Sequence, residues 1–312
     1  MRGLRPALFL FLLAALAINA PWITQRIYGL FYQGYVGRLP AFPPPGPGER
    51  VLILAPHPDD ESLCCGGLIR EALQRGAEVH VVWLTSGDGF EWDAALLDRT
   101  LSPSPQDLRN LALTRMAEAR QAASALGLHP SHLHFLCYPD RGLLHLFLER
   151  YRTPYTSPQT RLDQVAYPGC RTPGVPYTGQ ALEADLEGVL AQVRPTLLLA
   201  PSPLDAHADH RATGYLALRL LRPGLSALFW IVHGGVEWPL PKGLHPALPL
   251  EPPPRGRGLP WQRLDLTPSV RTAKEAALLA YRSQTEILGR FLLAFVRQNE
   301  LFSPHPLPPA SR

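Results

Sequence analysis

Residues 51–67 read VLILAPHPDDESLCCGG, and the rest of the chain is read outward from them. Val51–Ala55 is a short apolar run of the length and character of a buried parallel strand. Gly66-Gly67 lead into the helical pattern Leu68–Arg75. Between the two stand His57, Asp59, Asp60 and Glu61, placed where a strand ends and a helix begins. In open α/β sheets that carboxyl end is where ligands bind. Pro56 and Pro58 restrict the backbone on either side of His57. Acidic residues in a first helical turn complement the helix dipole, but capping takes a single carboxylate. Three adjacent carboxylates repel one another. A divalent cation relieves that repulsion, and His with Asp is a suitable ligand pair for zinc.

A second apolar strand, Pro195–Ala200, runs into PSPLDAHADH at 201–210. Two imidazoles and two carboxylates therefore fall within six residues at another strand end. Around these motifs the pattern predicts strands near 51–55, 78–84, 132–137, 196–200 and 227–232. Helices are expected near 61–75, 105–126, 181–193, 210–222, 268–283 and 285–298. Such alternation implies an α/β fold with a Rossmann-like, mostly parallel sheet covered by helices on both faces. Thr85-Ser86-Gly87-Asp88-Gly89 lacks the glycine spacing of a phosphate loop and reads as a tight turn. Its Asp88 falls within reach of a pocket at the strand ends. His233 closes the fifth strand, as a core histidine or a pocket residue. The segments 142–178 and 234–260 are long and rich in Pro, Gly and Tyr, as functional loops are.

His57-Pro58-Asp59-Asp60-Glu61 followed by His207-Ala208-Asp209-His210 resembles the PIG-L/LmbE family of zinc-dependent N-acetylglucosamine deacetylases. Weaker similarity extends from Val51 to Phe302. The resemblance implies a catalytic Zn2+, or another divalent metal such as Fe2+, held by His57, Asp60 and His210. Bonds of about 2.0–2.1 Å to one ion then require the two imidazoles to lie within about 5 Å of each other. Asp59 is implied as general base. Zinc and His207, if protonated, are expected to stabilise the oxyanion, with Asp209 orienting His207 and favouring its charged form, and the leaving amine takes its proton from Asp59 or His207. Glu61 is placed behind the ligands, turned towards backbone amides or a ligand. Arg115, in an Arg-x-x-Glu pair with Glu118 ahead of Leu126-Gly127, is implied in holding substrate. Asp140, in Tyr138-Pro139-Asp140, is implied in contacting sugar hydroxyls. Asp88 and His233 complete the candidate substrate contacts. The implied partner is an acetamido-sugar conjugate, a glycolipid or an envelope glycan. The competing readings are a zinc amidase acting on a non-sugar or thiol-conjugate amide, and a non-catalytic carbohydrate-binding protein.

Composition narrows the classes further. Thirty basic against 26 acidic residues leave a net charge of +4, with no long Lys/Arg block, so nucleic-acid binding is not indicated. Cys64, Cys65, Cys137 and Cys170 show no metal-binding spacing; Cys64 and Cys65 read as packing residues, and a Cys137–Cys170 disulfide is one pairing open to the others. No charge occurs between Arg5 and Arg26, and Ala7–Ala20 is continuously apolar. Residues 1–24 thus read as a membrane anchor or a cleaved signal peptide. The basic Arg2 and Arg5 favour a cytoplasmic N-terminus and a catalytic domain outside the cytoplasm. Trp22, Tyr28, Phe31, Tyr32 and Tyr35 resemble an interfacial aromatic belt. The expected organisation is an aromatic and Pro-rich linker at 25–49, a catalytic domain at 50–303 and a flexible tail at 304–312.

Overall fold

Every apolar run read as a strand pairs with another in one sheet. The computed structural model describes residues 26–90, 102–235 and 238–308. Strands β1 (Arg50–Ala55), β2 (Glu78–Thr85), β3 (Leu133–Tyr138), β4 (Leu197–Pro201) and β5 (Ser226–Trp230) lie in the order β3-β2-β1-β4-β5. All neighbours are parallel, with Val51 opposite both Val79 and Leu197. Val51 to Ala55 are fully buried. Helices cover both faces of such a sheet, which is why its strands are apolar without alternation.

The helices are α1 (residues 26–37), α2 (Asp60–Gln74), α3 (Pro105–Leu126), α4 (Leu143–Leu148), α5 (Gly179–Val193), α6 (Ala208–Leu220), α7 (Pro268–Ala280) and α8 (Arg282–Leu292). Ser104 and Asp107 form a capping box that starts α3, and Gly127, at φ 92°, ends it in the left-handed region. The strand order reverses at β1, whose chain continues to β2 on one side while β4 joins it on the other. Ligands bind at such a reversal point. The loops after β1 and β4 carry the two motifs, so the topology itself brings them together.

One expectation is corrected. The C-terminal helix expected to reach 298 stops at Leu292, and Asn299–Phe302 becomes β7, antiparallel to β6 (Gln262–Asp265). Tertiary contacts override local pattern there: Glu300 accepts from Gly67 N at 2.6 Å and Leu68 N at 2.8 Å, and pairs with buried Lys274 at 2.6 Å. Part of the Pro-rich linker runs against the domain. Phe42 N donates to Arg263 O and Arg263 N to Pro40 O, making Ala41 a parallel neighbour of β6. The first part of the tail is also fastened, since Ser202 Oγ donates to Pro306 O.

Among the described residues no helix is long and apolar enough to cross a membrane. Ala7–Ala20 and Trp22 lie outside the described residues. On α1 Tyr28 is buried, whereas Leu30 and Phe31 are 83% and 75% exposed and face outward.

Candidate active site

The β1–α2 loop is built under tension. Asp59 takes φ 129°, a conformation L residues rarely adopt, and persists only because its surroundings hold it. Glu61, fully buried, accepts from Asp59 N (3.2 Å), Ser62 Oγ (2.5 Å), Trp83 Nε1 (2.8 Å) and Tyr281 OH (2.5 Å). Arg115 donates to Gly87 O and Pro58 O, both at 2.9 Å, and its Nη2 lies 3.6 Å from Asp59 Oδ2. Gln284 Nε2 donates to Pro58 O at 3.1 Å. The result presents the Asp59 carboxyl to a cavity of about 270 Å³. Glu61 thus stands behind the loop, bonded to the Asp59 amide.

The metal-ligating candidates converge on Asp60. Its Oδ2 lies 3.1 Å from His57 Nδ1 and 3.2 Å from His210 Nε2. Two ligands of one tetrahedral ion with bonds of about 2.0–2.2 Å stand ~3.4 Å apart, so both spacings fit. The imidazole centroids of His57 and His210 are 5.3 Å apart, slightly beyond the expected 5 Å, although one ring nitrogen of each lies within 4.8 Å of the other's. His210 Nε2 is buried, faces this point and makes no hydrogen bond.

Each ring is steadied through its other nitrogen. His210 Nδ1 is 3.1 Å from Asp205 Oδ2, and His57 Nε2 is 3.3 Å from both Asp209 Oδ2 and Asp140 Oδ1. Far-side carboxylates of this kind orient histidine ligands to metals. Burial opposes charge on His210, but Asp205 and Asp60 overcome it and push its pKa up to about 10. Burial likewise opposes charge on His57, and Asp140, Asp209 and Asp60 prevail and raise its pKa. The carboxylates thus demand positive charge at this spot. His57, Asp60 and His210 fit a divalent cation. His207 also lies within 4.8 Å of the two histidines, but Asp60 approaches both ligand nitrogens more closely.

Other expected roles are redistributed. Asp209 does not orient His207 through its carboxylate. That group accepts from Arg141 N (2.6 Å) and Leu143 N (3.0 Å) and faces His57; only the Asp209 backbone N–H reaches His207 Nδ1, at 3.3 Å. His207 is the N-cap of α6. Because its Nδ1 accepts, the neutral ring carries its proton on Nε2. Burial, reinforced by His57 and His210, holds its pKa down at about 2, which favours the neutral ring. Asp88 does not line the cavity. It accepts from Asp140 N (3.1 Å) and Tyr167 OH (2.6 Å) and braces the loop that carries Asp140. Burial, with Asp140 nearby, raises its pKa to about 6. Arg115 and Glu118 do not pair, because Glu118 accepts from the N–H and Oγ of Ser283. Asp140, Arg115 and His233 do line the cavity, beside an apolar wall of Phe90, Leu288, Phe291 and Leu292.

Sequence reasoning overlooked Asp205. Its carboxylate accepts from His207 N, Val232 N and His233 N at 2.8–3.0 Å while holding His210. The signal was present in Asp205-x-His207-x-Asp209-His210, whose first carboxylate heads the loop. Behind the site, Cys137 and Cys170 form a disulfide, and Cys64 and Cys65 are free, buried packing residues.

The sequence profile of the PIG-L family, described as GlcNAc-PI de-N-acetylase, matches residues 52–221, more than half of the chain. The chain belongs to the PIG-L family. It is 29% identical over 187 residues to a 1D-myo-inositol 2-acetamido-2-deoxy-alpha-D-glucopyranoside deacetylase of Mycolicibacterium smegmatis, covering 59% of this chain and 57% of that protein. It is 25% identical over 173 residues to a diacetylchitobiose deacetylase of Thermococcus kodakarensis, covering 54% and 48%. The chain thus spans about half the length of the curated relatives it matches. In fold it resembles the N,N'-diacetylchitobiose deacetylase of Pyrococcus horikoshii (TM-score 0.50, 21% identity, 81% of this chain and 82% of that one). A deacetylase of the antimicrobial A40926 pseudoaglycone is similar as well (TM-score 0.52, 21% identity, 82% and 96%).

Proposed function

We propose that this PIG-L chain is a zinc-dependent hydrolase that removes the acetyl group of an N-acetylglucosamine-containing substrate, releasing acetate and a free amine. The reading is carried by Asp60 Oδ2, 3.1 Å and 3.2 Å from the ligand nitrogens of His57 and His210, with Asp59 next to it on the cavity. Two imidazoles and one carboxylate are a catalytic zinc donor set, and Fe2+ suits the same donors. A metal held there supplies Lewis acidity and lowers the pKa of water.

The chain's own residues do the rest. Burial and the neighbouring Asp60 raise the Asp59 pKa, against the pull of Arg115, which brings this carboxyl closer to neutrality as a general base requires. Asp59 takes the proton of the attacking water. His207 Nε2–H donates to the developing oxyanion; removing one such donor typically costs about 3–4 kcal/mol. Protonated Asp59 then passes its proton to the leaving nitrogen, because neutral His207 offers a hydrogen bond there and not an acid.

Two curated relatives are named for 2-acetamido sugars, which supports that substrate class. Asp140 and Arg141 line the cavity as partners for sugar hydroxyls, and the apolar wall on α8 suits an aglycone. The charge-free run before Arg26 supports anchoring or secretion, and the Cys137–Cys170 disulfide accords with an oxidising compartment. An envelope glycan or glycolipid follows as the substrate. Acetate release, screened across acetamido-sugar conjugates with metal content measured in parallel, tests the proposal. Release from simple aliphatic acetamides in preference to every sugar conjugate would refute the sugar assignment.

A further inference from the structure

The candidate ligands so far stand at the carboxyl ends of the strands, and a second set stands at the opposite edge of the sheet. Glu78 opens β2, and His80, two residues on, points from the same face. His132 closes the short turn Pro130–His132 that enters β3. β2 and β3 are parallel neighbours, and ligand atoms of Glu78, His80 and His132 all lie within 4.8 Å of one another. His80 Nε2 is 2.7 Å from Glu78 Oε1, and the rings of His80 and His132 stack with centroids 4.1 Å apart.

Both imidazoles are steadied through their far nitrogens. His132 Nδ1 is 3.1 Å from the Val79 carbonyl, which can only accept, so the ring keeps its proton there and leaves the Nε2 lone pair free. His80 Nδ1 is 3.1 Å from His134 Nε2. That contact leaves His80 Nε2 facing the Glu78 carboxylate, on the side of the ring turned towards His132. Hydrogen bonds of this kind mark histidines prepared as ligands.

We propose that Glu78, His80 and His132 form a second divalent-metal site, a two-histidine, one-carboxylate set that takes Zn2+, distinct from the active site. His80 precedes Thr85, at the catalytic rim, by five residues, about 16–17 Å of strand. Glu78 is exposed, so its carboxylate is free to open from the His80 contact into a shared ligand edge. An ion here ties β2 to the segment entering β3, the edge strand of the sheet. The site therefore serves stability, not turnover.

The test is a Zn2+ titration of the chelator-treated full chain, with bound metal counted after gel filtration and the melting temperature followed. The wild type is expected to hold two equivalents. Glu78→Gln/His132→Gln should hold one, lose part of the zinc-induced rise in Tm and keep its acetate release. His210→Ala, which removes an active-site ligand, should also keep one equivalent, now at the edge. Each single edge variant should weaken the second equivalent about 10–100-fold. One equivalent in the wild type, or two in the double edge variant, overturns the second site. Either result leaves the active-site reading untouched.

Discussion

The two loops that meet at the rim between β1 and β4 reach their geometry by different means. The loop after β4 is self-contained. Asp205 accepts the N–H groups of His207, Val232 and His233 and steadies His210, all within one loop and the strand end beside it. The loop after β1 is shaped from a distance. Asp59 is held at φ 129° by Glu61, and Glu61 is fixed by Trp83 on β2 and by Tyr281 between α7 and α8. Arg115 on α3 and Gln284 on α8 grip Pro58. The difference is a division of labour: one loop holds a rigid candidate ligand, and the other holds a candidate ligand together with the carboxyl proposed as base, whose backbone conformation distant elements maintain.

Substitutions can break that division, and the largest effect falls on chemistry. Asp59→Asn should lower acetate release about 10²–10⁴-fold while bound zinc stays at the wild-type level. His210→Ala should lose active-site metal and activity together, and full turnover in the Asn variant would remove Asp59 from the mechanism. Next comes the self-contained loop. Asp205→Asn should weaken active-site metal binding about 10–100-fold, read by competition with a chromogenic chelator.

Arg115→Met probes the distant support. The Arg115 charge favours ionised Asp59, so its loss raises the carboxyl's pKa further and moves the rising limb of kcat/KM against pH to higher pH. An unmoved limb would show that Arg115 acts only as a brace. Tyr281→Phe should destabilise the fold by about 1–3 kcal/mol in denaturant unfolding, because buried Glu61 loses a donor.

The effect furthest from the chemistry is at Glu251, a buried carboxyl outside both loops whose Oε2 has no hydrogen-bond partner. Burial raises its pKa from 4.5 to about 8. Between these values the folded chain holds a proton that the unfolded chain has released, so stability falls as pH rises across that window. Glu251→Gln should remove this slope from the melting temperature between pH 4.5 and about 8, whereas Glu61, held by four donors, is not interchangeable with Gln in this way.

What was legible in the sequence was the part encoded by neighbours along the chain. The run Val51–Ala55 announces a doubly covered strand, and His57, Asp60 and His210 sit at strand ends that a parallel sheet must align. What escaped depends on partners far away in sequence. The direction of the Asp209 carboxylate is set by the N–H groups of Arg141 and Leu143, and that of Asp88 by Tyr167. Neither contact leaves a local trace. Residues 293–298 carry a helical pattern that yields because Lys274 and the α2 backbone hold Glu300 in place just beyond it.

The pairing of Pro40 and Phe42 with Arg263 has one more implication. Stitched to β6, residues 38–49 carry the chain from α1 to the start of β1 along the domain's own surface, so a load applied at α1 reaches the β6–β7 pair before it reaches β1 and the loop that follows it.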